Sequence, residues 1–167
     1  MKHLTWSILN LTILFCFFYL IIGFIIKGKR VFKPTFKVFS ICILVIGIIQ
    51  ILSASNSEKN TNIIKITEDY DNKNNTEFKK VILEDNLTLD IEMLVKYSIN
   101  NIEYVPIESH SSLTGFVSGY VWEFESIYTE SYIKGQKATY TANGVLKWNL
   151  FGFTIYNESK TISGIMN

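Results

Sequence analysis

The chain holds a single arginine, Arg30, and no aspartate or glutamate before Glu58. From Glu58 onward acids outnumber lysines. Phosphate backbones are held by clustered cations, so this balance excludes a nucleic-acid partner. Cysteine is as scarce: Cys16 and Cys42 are the only two, and both lie in apolar runs. The chain beyond Asn56 has none, which rules out a disulfide-stapled scaffold. If the two runs pair, Cys16 falls mid-span and Cys42 near the loop, too far apart for the ~7 Å Cα separation a bridge needs. Both are expected to be small buried hydrophobes. No motif calls for a cofactor.

What is present is long uncharged sequence. Leu4 to Ile26 carries no charge, and at ~1.5 Å per residue a helix of that length covers a hydrocarbon core of about 30 Å. Val38 to Ser57 is uncharged again. Between them, "IIKGKRVFKPTFKVF" holds Lys27, Lys29, Arg30, Lys33 and Lys37 without an acid. Short loops rich in lysine and arginine stay on the cytoplasmic side. Residues 1–55 are therefore expected to form a transmembrane hairpin, with helices about 4–26 and 38–54 and a basic cytoplasmic loop at 27–37. Both chain ends are then extracytoplasmic at the cell membrane. The first run is too long for an ordinary signal sequence, whereas "SAS" at Ser53 to Ser55 leaves cleavage after the second as an alternative. The runs contain no acidic or basic residue, which disfavours a pump or channel. Asn10 and Gln50 sit toward the outer end, placed to hydrogen-bond across the hairpin.

A polar stalk is expected at 56–62, and at 63–167 the period changes to two. In "LTLDIEMLVKYSI", Leu87, Leu89, Ile91, Met93, Val95, Tyr97 and Ile99 alternate with mostly polar residues, the pattern of a half-buried strand. The same stretch also reads as one helix around 87–100, giving an α+β alternative. "GFVSGYVWEFESIY" puts Phe116, Tyr120, Trp122 and Phe124 on one face. Asn143-Gly144 predicts a tight hairpin turn. Lys134-Gly135 and Asn157 to Lys160 predict further turns, and Gly152 a bulge. The fold class expected is a mainly antiparallel β-domain, sandwich or partly closed barrel, behind the hairpin.

Chemistry is thin. Glu123 and Glu125 share a strand face and would suit acid–base work if burial split their pKa values; alternating with Trp122 and Phe124, they read more simply as a wet face. Asp69, Asp71 and Asn75 have partial Ca²⁺-loop spacing, but the loop glycine is missing, so no metal is expected. His110 beside Ser111 and Ser112 reads as a surface-loop histidine, because a triad must converge from distant segments. The aromatics Tyr120, Trp122, Phe124 and Tyr128, with Phe151 and Phe153, are the candidate binding residues. The function expected is that of an integral membrane protein, not an enzyme, whose β-domain binds a membrane or envelope protein. A lipid or small envelope ligand in an aromatic cleft is the alternative, and a hydrolase using Glu123 or Glu125 a third.

Overall fold

The computed structural model describes residues 2–32, 34–54, 61–67, 75–150 and 153–166. Two helices come first, α1 (Lys2–Lys27) and α2 (Lys37–Ala54). Two short 3-10 turns, Gly28–Val31 and Pro34–Phe36, lie between them. Pro34 opens the second turn, where its missing N–H breaks no ladder. Among the described residues, only α1 with the turn that follows it is long and apolar enough to cross a membrane. The expected pair of spans thus becomes one by this measure. The 18 residues of α2 rise ~27 Å, with the shorter apolar stretch at Lys37–Ile49. α2 nonetheless packs on α1, because a Cβ at Gly47 would fall 2.1 Å from the Phe17 ring. Cys16 and Cys42 are free and exposed, not buried as expected. They sit on helix faces that no other part of the chain covers.

Eight strands follow: β1 (Thr61–Lys65), β2 (Thr76–Asp85), β3 (Leu89–Asn100), β4 (Glu103–Gly115), β5 (Tyr120–Thr129), β6 (Tyr132–Ile133), β7 (Ala138–Leu150) and β8 (Phe153–Met166). Sheet A has the order β1-β4-β3-β2, with β6 added to β4, and sheet B the order β5-β7-β8. Every pairing is antiparallel. The two sheets bury their facing sides in one core and neither closes into a barrel. The helical alternative at 87–100 is overturned. β3 is hydrogen-bonded on both sides, and Leu89, Ile91, Met93, Val95 and Tyr97 all point into the core. A central strand satisfies its backbone through both neighbours, and period-two burial then wins over the weaker helical reading.

Two expected turns are strand interiors. Asn143 and Gly144 lie mid-β7, paired to β5 and β8. A Cβ at Gly144 would meet the Trp122 ring at 2.4 Å, so this glycine serves a close approach rather than a turn. Asn157 to Lys160 lie within β8. The Lys134-Gly135 turn is present, with Gly135 at φ +94°. Gly152, Phe151, Asp69, Asp71, Lys33 and most of the expected stalk fall outside the described residues.

Register shifts decide which side chains face in. Between Phe124 and Ser126 the β5 register slips past Glu125. Tyr120, Trp122 and Phe124 are therefore buried, whereas Tyr128, on the same parity, is 65% exposed. β4 has an extra residue at Ile107 opposite the Lys96–Tyr97 step. Tyr104 and Pro106 face inward before it, and Ser109, Ser111 and Leu113 after it. The bulged Ile107 carbonyl accepts from the amides of Ile66 and Thr67. A third shift, at Leu83, leaves Leu83 and Glu84 together opposite Ile91.

Candidate functional site

The outer face of sheet A mixes exposed apolar and charged side chains. Outward parity on four strands brings Ile63 (β1), His110 (β4), Leu94 (β3) and Lys80 (β2) into one row. Phe78 and Ile82 flank Lys80 on β2. Ile63, Phe78 and Ile82 are each more than half exposed. Charges frame them: Lys80 Nζ lies 2.8 Å from Glu92 Oε1, and His110 Nε2 lies 3.0 Å from Glu108 Oε1. A shallow depression of about 300 Å3 opens among Lys80, Glu92, Leu94, His110 and Ser112. His110 is thus on a strand and not in a loop, a correction that follows from the length of β4.

The outer face of sheet B is chemically different. Thr141 bonds Ser163, Asn143 donates to Ser126, and Thr161 donates to Asn143. Hydroxyls and amides satisfy one another across three strands, and Tyr128 and Ile165 stand exposed toward one end of the same face. Glu123 belongs to this face and is ion-paired to Lys147, while Glu125 stands exposed at the bulge. The two carboxylates are not drawn into a cleft.

A second constellation joins the helices to the sheets. The indole of Trp6 donates to the Gly119 carbonyl at 3.2 Å, and Tyr120 Oη donates to the His3 carbonyl at 3.1 Å. The rings of His3 and Trp6 lie 4.9 and 5.6 Å from that of Trp148. Gly119, at φ +81°, leaves no room for a Cβ against Asn10; only glycine suits both demands. The first turns of α1 therefore plug the open end of the core. Beside them the Leu83 bulge aims Glu84 inward, the usual re-aiming effect of such a shift. Lys160 Nζ lies 2.6 Å from Glu84 Oε2 and 3.4 Å from Glu158 Oε1. Trp148 Nε1 donates to Glu158, and His3 Nε2 stands 3.7 and 3.9 Å from the two carboxylates. Lys160 is only 13% exposed, so this charge network sits largely out of water.

Of the candidate binding aromatics, Tyr120, Trp122 and Phe124 line the core and offer no exposed ring. Burial pushes the Tyr120 phenol up to about 12. Tyr128 is exposed and donates to Glu130. Phe153 is 75% exposed at the start of β8, and Phe151 lies outside the described residues. At the far end of α1 the described cations Lys27, Lys29, Arg30 and Lys37 are all exposed. Sequence reasoning missed the sheet A face because its residues come from four strands, each contributing one or two. The pairing of Lys80 with Glu92 and of Ile63 with His110 exists only once register is known. Among the described residues no group of three or more His, Cys, Asp or Glu gathers as a metal site.

The chain matched no protein-family model, no curated protein and no solved structure in the three comparisons.

Proposed function

We propose that this is a two-pass membrane protein whose β-domain, held outside the membrane, binds another membrane or envelope protein through the outer face of sheet A. The observation that carries the reading is the mixed character of the outer face of sheet A. Sheet B bonds its polar groups to one another and exposes Tyr128 and Ile165 toward one end. Sheet A leaves Ile63, Phe78 and Ile82 exposed within a frame of charge pairs, the mixture of apolar anchors and polar surround that protein interfaces use. The anchor reading is supported by α1, and by its exposed cations at the end opposite the β-domain. The positive-inside rule then favours a cytoplasmic loop and an extracytoplasmic domain.

A photo-crosslinking residue placed at Phe78 in living cells is expected to trap one defined product. Leu94→Glu should abolish that product, and Thr141→Glu on sheet B should leave it. A ladder of products, or equal loss with both variants, would remove the sheet A face from consideration. A lipid or small ligand is the second reading, favoured by the depression at His110. It predicts a retained mass on the gently purified protein that Leu94→Glu releases.

A further inference from the structure

We infer that the end of the β-domain that receives α1 is seated in the headgroup layer of the bilayer, through an apolar rim built by Leu87, Phe153 and Ile155. The inference rests on the membrane-anchor reading and adds where the domain stands relative to the lipid.

The depth of the membrane boundary can be read from the helices. Phe17 meets Gly47. Asn10 lies seven residues before Phe17, and Ala54 seven residues after Gly47. In antiparallel helices Asn10 and Ala54 therefore come level, at the point where α2 ends. Below Asn10, Thr12, though exposed, satisfies its hydroxyl within the helix by donating to the Ile8 carbonyl at 2.8 Å. From Leu11 to Lys27 the helix rises ~25 Å, close to one hydrocarbon core. Above that boundary, His3, Trp6 and Asn10 are the residues that touch the β-domain.

The strands reach the same level. Tyr120, Trp148 and Tyr156 form one register row beside His3. Passing down α1 from His3 to Asn10 covers ~10 Å. Passing along β7 and β8 from that row to the Leu150–Phe153 pair covers ~7 Å in the same direction. The β2–β3 turn lies at this end as well, since Glu84 stands beside His3 and Thr88 accepts from the Phe116 amide. At these tips Leu87 is 89% exposed, Phe153 75% and Ile155 58%. Large apolar side chains left bare on a turn and a strand end, level with the mouth of a membrane helix, fit the interfacial layer that such residues occupy. The three rim side chains are themselves uncharged, so what they supply is apolar insertion rather than attraction to anionic lipid.

The test uses the full chain with Cys16→Ala and Cys42→Ala, reconstituted in phosphatidylcholine vesicles. A fluorophore is attached in turn at Leu87→Cys, Phe153→Cys, Lys137→Cys and Phe18→Cys, and quenched by lipid bearing a nitroxide near the headgroup or, for Phe18, deep on the acyl chain. Lys137 marks the opposite end of β7, and Phe18 the exposed face of α1 within the span. Quenching at Leu87 and Phe153 about twofold or more above that at Lys137 is expected for probes in the headgroup layer. Quenching at the rim no greater than at Lys137, with Phe18 quenched, overturns the rim and leaves the span standing. An unquenched Phe18 removes the span itself, and the rim with it.

Discussion

The indole nitrogen of Trp122 lies 2.8 Å from the hydroxyl oxygen of Ser111, on the facing sheet. That hydroxyl in turn donates to the Glu92 carbonyl at 2.9 Å. Trp122 is 1% exposed and Ser111 0%. One serine thus settles a buried indole N–H and a strand carbonyl, and links sheet B to two strands of sheet A.

Ser111→Ala is expected to cost about 1–3 kcal/mol, because the buried indole donor loses the Ser111 acceptor. Ser112→Ala, one residue along and on the outer face, should stay within about 0.5 kcal/mol. Denaturant unfolding of the detergent-solubilised chain, followed by tryptophan fluorescence, separates the two. Equal effects would mean the hydroxyl is not satisfying Trp122.

Gly144→Ala places a methyl group where the Trp122 ring already stands. Overpacking of this kind costs about 1–3 kcal/mol. The midpoint of the same unfolding curve should fall, and the tryptophan emission should shift as the ring is displaced. An Asn-Gly turn at this position would hold Asn143 at positive φ and reject a β-branched residue, whereas a strand accepts one, so Asn143→Thr is the companion variant. It is expected to remain folded, having lost only outer-face hydrogen bonds.

Lys160→Met removes the lysine that Glu84 and Glu158 share and leaves the two carboxylates beside His3. Removing one member of a largely buried ion network is expected to cost about 2–4 kcal/mol. Hydrogen exchange should rise first at the open end, in the β2–β3 turn and the first turn of α1. Lys147→Met, which breaks the exposed pair with Glu123, should cost less than about 1 kcal/mol.

Alkaline pH is expected to unfold the β-domain through its tyrosines. Burial raises the phenols of Tyr97, Tyr120, Tyr132 and Tyr140 above their ordinary value of 10.0, that of Tyr120 to about 12. A raised folded pKa means the unfolded chain loses its proton first. The stability these groups hold is complete below pH 10 and drains away as pH climbs toward the folded values. Each such tyrosine contributes a slope of up to about 1.4 kcal/mol per pH unit in that window. Phenolate absorbance and unfolding should rise together; normal titration near pH 10 without unfolding would contradict it.

Lys137 is exposed beside the Gly135 turn, so Lys137→Cys in a background without Cys16 and Cys42 reports the side of the membrane. A membrane-impermeant maleimide applied to whole cells is expected to label it before lysis. Labelling only after lysis would place the domain in the cytosol and reverse the topology.

The apolar helices, the cations between them and the two-residue rhythm of β3 were legible in the sequence. Each is a local pattern: helix and strand periodicities repeat within one segment, and charge bias needs only counting. What the tertiary structure alone decided is where those rhythms break. Single-residue slips at Leu83, Ile107 and Glu125 turn Glu84 inward, move the inner face of β4 onto the serines and put Tyr128 in water. No local signal marks them, because a bulge is stabilised by what the partner strand and the facing sheet offer. Asn143-Gly144 makes the same point in reverse. A dipeptide suited to a turn was drawn into a strand because Trp122 of the adjacent strand, β5, needed the space that only glycine leaves.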